Sequence, residues 1–334
     1  MEAQRWAALQ KSDCALASPF FSLEFARLAA RLRPVELAVI EVDQRIAGFW
    51  AFEQRSMGLA VPLAFPISDY HGPLLAPDCE LSASQLLRAC RRQLYWFAGL
   101  PAKQRLFAAF HSRVEPSPIV RTQRLGLSDQ RRKWRRLGRE VGDVRFELNC
   151  RDPRVLDRLI VWKRAKAART GVPDLFDDPW TRTFLHELHR SAHGELRAWL
   201  SVLWAGEQPV AGHFGIASTR AWHWWFASYD PDYGRHSPGL LMLHAMLEAA
   251  PAQGIEWLDF GPGAEEFKHR YANDSIPVAF GTASRPLARV LLGVKRRVEN
   301  TLRKTPLHAA LRHAVDRVGR RSSAARQGSS PTHG

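Results

Sequence analysis

Between Arg235 and Leu241 the chain reads Arg-His-Ser-Pro-Gly-Leu-Leu. A helix start presents unpaired backbone N–H groups and the positive end of the helix dipole, which suits a pyrophosphate. The run fits that use. Arg235 adds a fixed positive charge beside His236, Ser237 is a good N-cap, Pro238 suits the first helical position, and Gly239 lets a ligand approach the backbone ahead of Leu240. The same residues also read as an ordinary helix start without a ligand. His223 and His236 are of the type that carries protons near neutral pH, although His223 alternates with Trp222 and Trp224 and equally reads as a satisfied core histidine. His186 and His189 flank Glu187 at i, i+3, which is not HExxH and brings no third ligand, so no metal is expected.

These residues need elements to position them. Pro238 to Ala250 reads as the helix that the phosphate-type run opens. Three β-rich runs precede it, Leu196 to Trp204, Gln208 to Ala217 and Ala221 to Tyr229, with a loop from Asp230 to Ser237. A strand from Ile255 to Phe260, a short helix from Ala264 to Tyr271 and a strand from Ile276 to Ala283 follow. Two helices stand ahead of this unit, Pro153 to Arg169, ended by Thr170-Gly171, and Pro179 to Ser191. The first half opens with a hairpin, Val35 to Val42 and Arg45 to Phe52, turning at Asp43-Gln44. Gly58 to Leu75, with Pro62 and Pro66, reads as an extended, edge-like segment. Ser82 to Ala98 has helical spacing, Arg105 to His111 reads as a short strand, and Ser128 to Val141 as a basic helix capped by Ser128 or Asp129. The fold class is α/β (α+β), with mixed, mostly antiparallel sheets flanked by helices.

At 334 residues the chain is long enough for two domains, expected at 1–145 and 146–285, with a basic helical tail over 286–334. The net charge is +15 and concentrated. Arg121 to Arg139 holds eight basic residues against Asp129 alone, and Gly281 onward holds twelve against Glu299 and Asp316. Such faces attract phosphorylated cofactors, anionic lipid or nucleic acid, or are merely solvated helix surfaces. From Pro286 to Arg321 apolar and basic residues alternate, as in a helix that lies on an anionic membrane, before a low-complexity end from Ser322. Cys14, Cys79, Cys90 and Cys150 form no CxxC pair, Met1 to Gln10 does not read as a secretory leader, and no run is long and apolar enough to span a membrane. The expectation is a reduced, cytoplasmic protein, peripheral to the inner face of the membrane if its tail binds there.

Seven motifs occur in order: Trp162-Lys163, Arg169 to Phe176, Pro209-Val210-Ala211, Tyr229-Asp230, Ser237-Pro238-Gly239, Leu258-Asp259-Phe260-Gly261 and Phe267-Lys268. Together they resemble the CelD/BcsL family of GNAT-like acetyltransferases, linked to bacterial exopolysaccharide and cellulose synthesis and related to the FemAB transferases. The resemblance covers about Val35 to Ser284, and Lys166 departs from it where the family favours Gln. It implies tandem GNAT-like units and transfer of an acetyl or other acyl group from acyl-CoA to an amine of a saccharide precursor. The donor's arm is then expected in a gap between the third central strand and Ile255 to Phe260. Asp259 becomes the candidate base or amine anchor, with Tyr229 as the second catalytic candidate. Arg235 to Leu240 are expected to hold the cofactor's phosphates. Lys268, Tyr271, Trp162, Asp174, Phe176 and His223 become the candidate acceptor-side residues, with Lys268 facing the phosphates of a nucleotide- or lipid-linked saccharide. Trp222, Trp224 and Trp225 suggest a sugar-stacking wall on one strand face. A FemAB-like transferase using charged tRNA and a non-catalytic membrane-surface protein are the alternatives; nucleic acid is not expected as a partner.

Overall fold

A computed structural model describes residues 2–122, 130–190, 194–263 and 265–286. The expected cap at Ser128 or Asp129 and the tail beyond Pro286 lie outside these residues. The chain divides into a body, Met1–Ala283, and a second unit, Ser284–Gly334.

Two helices that the expectations above do not include open the body, α1 (Glu2–Ser12) and α2 (Leu23–Leu32). In α2, Phe25, Leu28 and Ala29 fall on one buried face, and the Ser22 hydroxyl accepts from the Phe25 N–H. The hairpin of β1 (Val35–Val42) and β2 (Arg45–Gln54) forms as expected. Its turn residues Asp43 and Gln44 take φ of 51° and 60°, the left-handed pair that a two-residue hairpin requires.

Three expectations fail here for physical reasons. The segment after Gly58 is not an edge: β3 (Leu59–Pro62) lies inside the sheet with Pro62 as its last residue, and β4 (Leu74–Leu75) joins β2. The helix expected to Ala98 stops early. It is α3 (Ala83–Ala89), Arg91 turns at φ 55°, and the remainder is β5 (Leu94–Pro101), in which Tyr95, Phe97 and Gly99 alternate into the core. A period of two therefore overrides a helical spacing that Cys90, Leu94 and Phe97 satisfy by coincidence. The strand expected at Arg105 is a 3-10 turn over Arg105–Phe110, and β6 (His111–Arg121) begins where it ends.

The chain continues through α4 (Gln130–Glu140), β7 (Val144–Glu147), α5 (Pro153–Thr170), α6 (Pro179–Arg190), β8 (Arg197–Ala205), β9 (Gln208–Ala217), β10 (Ala221–His223), β11 (Phe226–Tyr229), α7 (Pro238–Ala249), β12 (Trp257–Asp259), α8 (Glu266–Tyr271) and β13 (Asp274–Ser284). One sheet of 13 strands runs in the order β1-β2-β3-β5-β13-β6-β12-β10-β9-β8-β7, with β11 on β9 and β4 on β2. The β3–β5 and β10–β12 pairs are parallel, whereas β1–β2, β6–β12, β6–β13, β7–β8 and β8–β9 are antiparallel.

Alternation along β8 and β9 gives the sheet two cores. Leu200, Val202, Phe214 and Ile216 pack with Leu156 and Leu159 of α5 and with Phe184 and Leu188 of α6. On the other face Leu203, Val210, Ala211 and Ala217 pack with Leu241, Met242 and Met246 of α7. Each fully buried side chain of this size contributes about 1.5–3 kcal/mol, so helices on both faces hold the central strands rigidly.

Candidate active site

The expected single strand from Ala221 to Tyr229 is broken in two, and the break makes the site. β10 pairs with β12 through Ala221↔Trp257, Trp222↔Leu258 and His223↔Asp259. One more bond follows, from the Trp224 N–H to the Asp259 carbonyl at 2.8 Å. β11 then runs along β9 alone, through Phe226↔Phe214 to Tyr229↔Ala211. A strand paired on one side leaves alternate backbone N–H groups facing the open side, here the gap beyond Asp259. The His213 ring stands at the break. Its Nε2 lies 3.2 Å from the Trp225 N–H and 3.1 Å from the His223 carbonyl, and the ring stacks on Trp224 at 4.9 Å. Burial pushes His213 down to about 3, so the ring is neutral, and its Nε2 either accepts from the Trp225 N–H or donates to the His223 carbonyl, according to the tautomer. Gly215 leaves the room: a Cβ there would lie 2.3 Å from His213 Cε1 and 2.4 Å from the His223 carbonyl.

Two carboxyl groups and an imidazole line the inner end of the gap. Asp259 is 1% exposed. Its Oδ1 accepts from the Gly261 N–H at 2.8 Å and the Ser117 hydroxyl at 3.3 Å, while Oδ2 has no hydrogen-bond partner among the described residues. That Oδ2 lies 3.7 Å from His223 Nε2, and the Tyr70 hydroxyl faces the same carboxyl. Burial pushes Asp259 up to about 6 against the opposing pull of those donors and of Lys268. Asp69 sits in the loop between β3 and β4, which the Trp225 indole fixes by donating to the Ile67 carbonyl at 2.7 Å. The Asp69 side chain is 32% exposed and its Oδ2 is 3.9 Å from His223 Nδ1. It presses on Gly261, whose φ of +68° and missing Cβ allow the approach: a Cβ would lie 2.8 Å from Asp69 Oδ2. Burial, and secondarily the Asp259 charge, push Asp69 up to about 6. His223 is fully buried, bonds to the Ser18 hydroxyl at 3.0 Å, and is pushed down to about 4 by burial. The arrangement is a carboxyl, a neutral imidazole and a second carboxyl in line, able to accept a proton close to neutral pH.

Lys268 belongs to this cluster but is fully engaged. Its ammonium donates to the Gly261 carbonyl at 3.4 Å and the Pro262 carbonyl at 3.1 Å, and pairs with Glu265 at 2.9 Å. It shapes the Gly261-Pro262-Gly263 turn that holds Asp259. Lys163 of α5 faces the same region, with Nζ 5.9 Å from the Phe226 ring centroid.

On the other face, Arg235 to Leu240 lie together at the start of α7. Ser237 does not cap the helix by its side chain: it adopts φ 53°, ψ 50°, and its hydroxyl lies 3.4 Å from Lys133 Nζ of α4. Arg235 pairs with Glu140 at 3.2 Å and its Nε lies 3.1 Å from His236 Nε2, while His236 is buried. Pro238 occupies the first turn, and the Gly239 N–H has no acceptor within the helix by its position. Tyr229 stands over this start rather than over Asp259. Its ring would meet a Cβ on Gly239 at 3.3 Å and one on Gly234 at 3.8 Å. Leu240 donates its N–H to the Ser237 carbonyl at 3.0 Å.

The remaining expected residues are dispersed. Trp162 is a core residue, and Trp222 is fully buried against Trp199. Asp174 binds Arg164 at 2.7 Å and the Phe176 N–H at 2.9 Å, and the Phe176 ring packs against Phe226 at 5.5 Å with the planes tilted by 49°. The Tyr271 hydroxyl meets His244 of α7 at 3.3 Å. The indole of Trp224 is half-buried against His213 and Phe260, and that of Trp225 donates to Ile67, so the three tryptophans do not share one face. His186 bonds to Asp157 and His189 to the Cys150 carbonyl, and no group of three potential metal ligands occurs among the described residues. Sequence reasoning missed Asp69, Tyr70, Ser117, His213 and Lys133. The run Ser68-Asp69-Tyr70-His71 was the one visible signal, a cluster of titratable residues in a proline-bearing segment.

Residues 127–269 match the family model of the acetyltransferase (GNAT) domain. The fold is similar to that of FemX, at TM-score 0.58 and 10% identity, covering 88% of this chain and 98% of that one. It is similar to a conserved protein of unknown function from Bacteroides thetaiotaomicron, at TM-score 0.55 and 12% identity, over 84% of this chain and 96% of that one. The C-terminal domain of a candidate lysylphosphatidylglycerol synthetase from Agrobacterium fabrum gives TM-score 0.54 and 11% identity, over 87% and 94%. No curated protein matches the sequence. Among the described residues no helix is long and apolar enough to cross a membrane. With its GNAT acetyltransferase domain and a mixed, mostly antiparallel sheet flanked by helices, the chain is an acyltransferase of GNAT-like fold.

Proposed function

We propose that this protein transfers an acyl group, acetyl in the first instance, from acyl-CoA to an amine of a saccharide precursor used in exopolysaccharide synthesis. The observation that carries the reading is the gap after Trp224, with Asp69 and Asp259 at its inner end and the α7 start on the opposite face. In this reading the CoA phosphates lie against Gly239 N–H, Arg235 and Lys133, and the thioester arm runs into the gap. The acceptor amine attacks the thioester carbonyl, a C–N bond forms, the C–S bond breaks, and CoA leaves as its thiolate, which takes its proton from solvent. Asp69, the more exposed of the two carboxyls, accepts the amine proton, and the neutral His223 and buried Asp259 hold it in place. Backbone N–H groups on the open side of β11 polarise the carbonyl. The saccharide acceptor and the exopolysaccharide role take their support from the CelD/BcsL-like motifs, several of which surround this gap.

Thiol release from acetyl-CoA, followed with and without amino sugars, tests the reading. Amine-dependent release with a matching N-acetyl product is expected. The fold shared with FemX supports a second reading, an aminoacyl-tRNA donor; turnover with charged tRNA and none with any acyl-CoA would select it.

A further inference from the structure

Lys163, half-buried on α5, faces the cleft region with no carboxylate in salt-bridge contact among the described residues. Burial is the first cause that draws it down to about 8; Lys166 and, least of all, Lys268 lower it further, while Glu265 and Asp69 pull the other way. Lys268, by contrast, has its protons committed to Gly261, Pro262 and Glu265. The lysine that the motif reading assigns to acceptor phosphates is therefore the engaged one, and its neighbour on α5 has no such pair among the described residues.

The position of Lys163 says which substrate it meets. Its Nζ lies over Phe226, a gap strand residue packed in the core on the α5 face. The Asp69 loop contributes Leu63, Ile67 and Tyr70 to the same core. The α7 start belongs to the core on the opposite face. The α7 start and Lys163 thus lie on opposite faces of the sheet. A partly desolvated cation with like charges beside it is unfavourable alone and favourable once an anion arrives.

We propose that Lys163 receives an anionic group of the acyl acceptor, a phosphate or a carboxylate, on the α5 face of the gap. This rests on the acyltransferase reading given above for the donor side. The test is a titration of the full chain with its lysines 13C-dimethylated, the Lys163 signal being assigned by its absence in Lys163→Arg. Titrations are run at constant ionic strength with chloride, inorganic phosphate or acetate, each with and without saturating CoA. The free protein should show Lys163 titrating near 8. Phosphate, or acetate if the group is a carboxylate, should move that midpoint up by about one pH unit, with CoA bound or not. The proposal is overturned if neither anion moves it, if Lys163 titrates normally in the free protein, or if CoA alone produces the rise, which would put Lys163 on the donor side. Failure of CoA to bind at all would count against the acyltransferase reading, while the Lys163 response to phosphate or acetate would still be read.

Discussion

Asp69 and Asp259 differ in a way that separates their roles. Both are held near 6, but Asp69 reaches solvent while Asp259 is enclosed. A carboxylate accepts the amine proton only when ionised, so turnover should rise with pH through about 6 and then level. Asp69→Asn should lower kcat by about 100-fold, a usual loss for a general base, and abolish that limb of the pH profile. An unchanged limb would remove Asp69 from the mechanism. Asp259 gives a stability prediction with a definite sign. Its folded value is raised from 3.8 to about 6, so the folded chain holds a proton that the unfolded chain releases. That stabilisation is complete below 3.8 and is lost as pH rises through about 6. Asp259→Asn keeps an oxygen for the Gly261 N–H and removes the buried charge. It should therefore raise Tm by a few degrees at about pH 8 and have no such effect near pH 4. A Tm unchanged or lowered at about pH 8 would contradict the burial argument. Asp259 and the Arg235 run were legible in the sequence because each sits beside glycines at the end of an element. Asp69 was not, because a carboxylate in a long loop looks like any solvated loop residue until the fold lays it against Gly261.

The break between β10 and β11 is the element on which the account turns. Sequence reasoning found the strand but drew it unbroken, since Ala221 to Tyr229 is apolar or aromatic apart from His223 and Ser228. The interruption is imposed from outside, by His213 and Gly215 on β9, and no local pattern in residues 221–229 announces it. Gly215→Ala places a methyl against His213 and the His223 carbonyl. It should cost about 1–3 kcal/mol, the usual range for overpacking, and weaken acetyl-CoA binding at the same time. Chemical denaturation and calorimetry read the two effects; a loss of neither would mean that the break does not depend on this packing. The α3–β5 error has a similar origin. Cys90, Leu94 and Phe97 fit a helical spacing by coincidence, and the burial of Tyr95 and Phe97 on one side of β5 decides against it.

At the scale of the whole molecule, the two-domain division expected near residue 145 stays a proposal beside a sheet that runs on through β6, β12 and β10, with the late strand β13 placed next to the early strand β5. Adjacent strands can be read from a sequence as a hairpin, but a strand returning across more than a hundred residues cannot. The basic segment beyond Pro286 is proposed as a peripheral membrane contact. Each basic residue near an anionic surface contributes roughly 1 kcal/mol, so several together bind reversibly. Ending the chain after Pro286 should leave the body, Met1–Ala283, folded and able to bind acetyl-CoA, while abolishing sedimentation with anionic vesicles. Equal sedimentation by both proteins would remove the membrane role. The central claim is that the α7 start and the gap form a site for acyl-CoA, and calorimetric titration of acetyl-CoA into the full chain tests it most directly. One molecule should bind per chain, and Lys133→Ala combined with Arg235→Ala should weaken binding by roughly 10-fold or more, the loss expected for two charge-assisted contacts. No heat of binding, or an affinity unchanged in the double variant, would contradict the account.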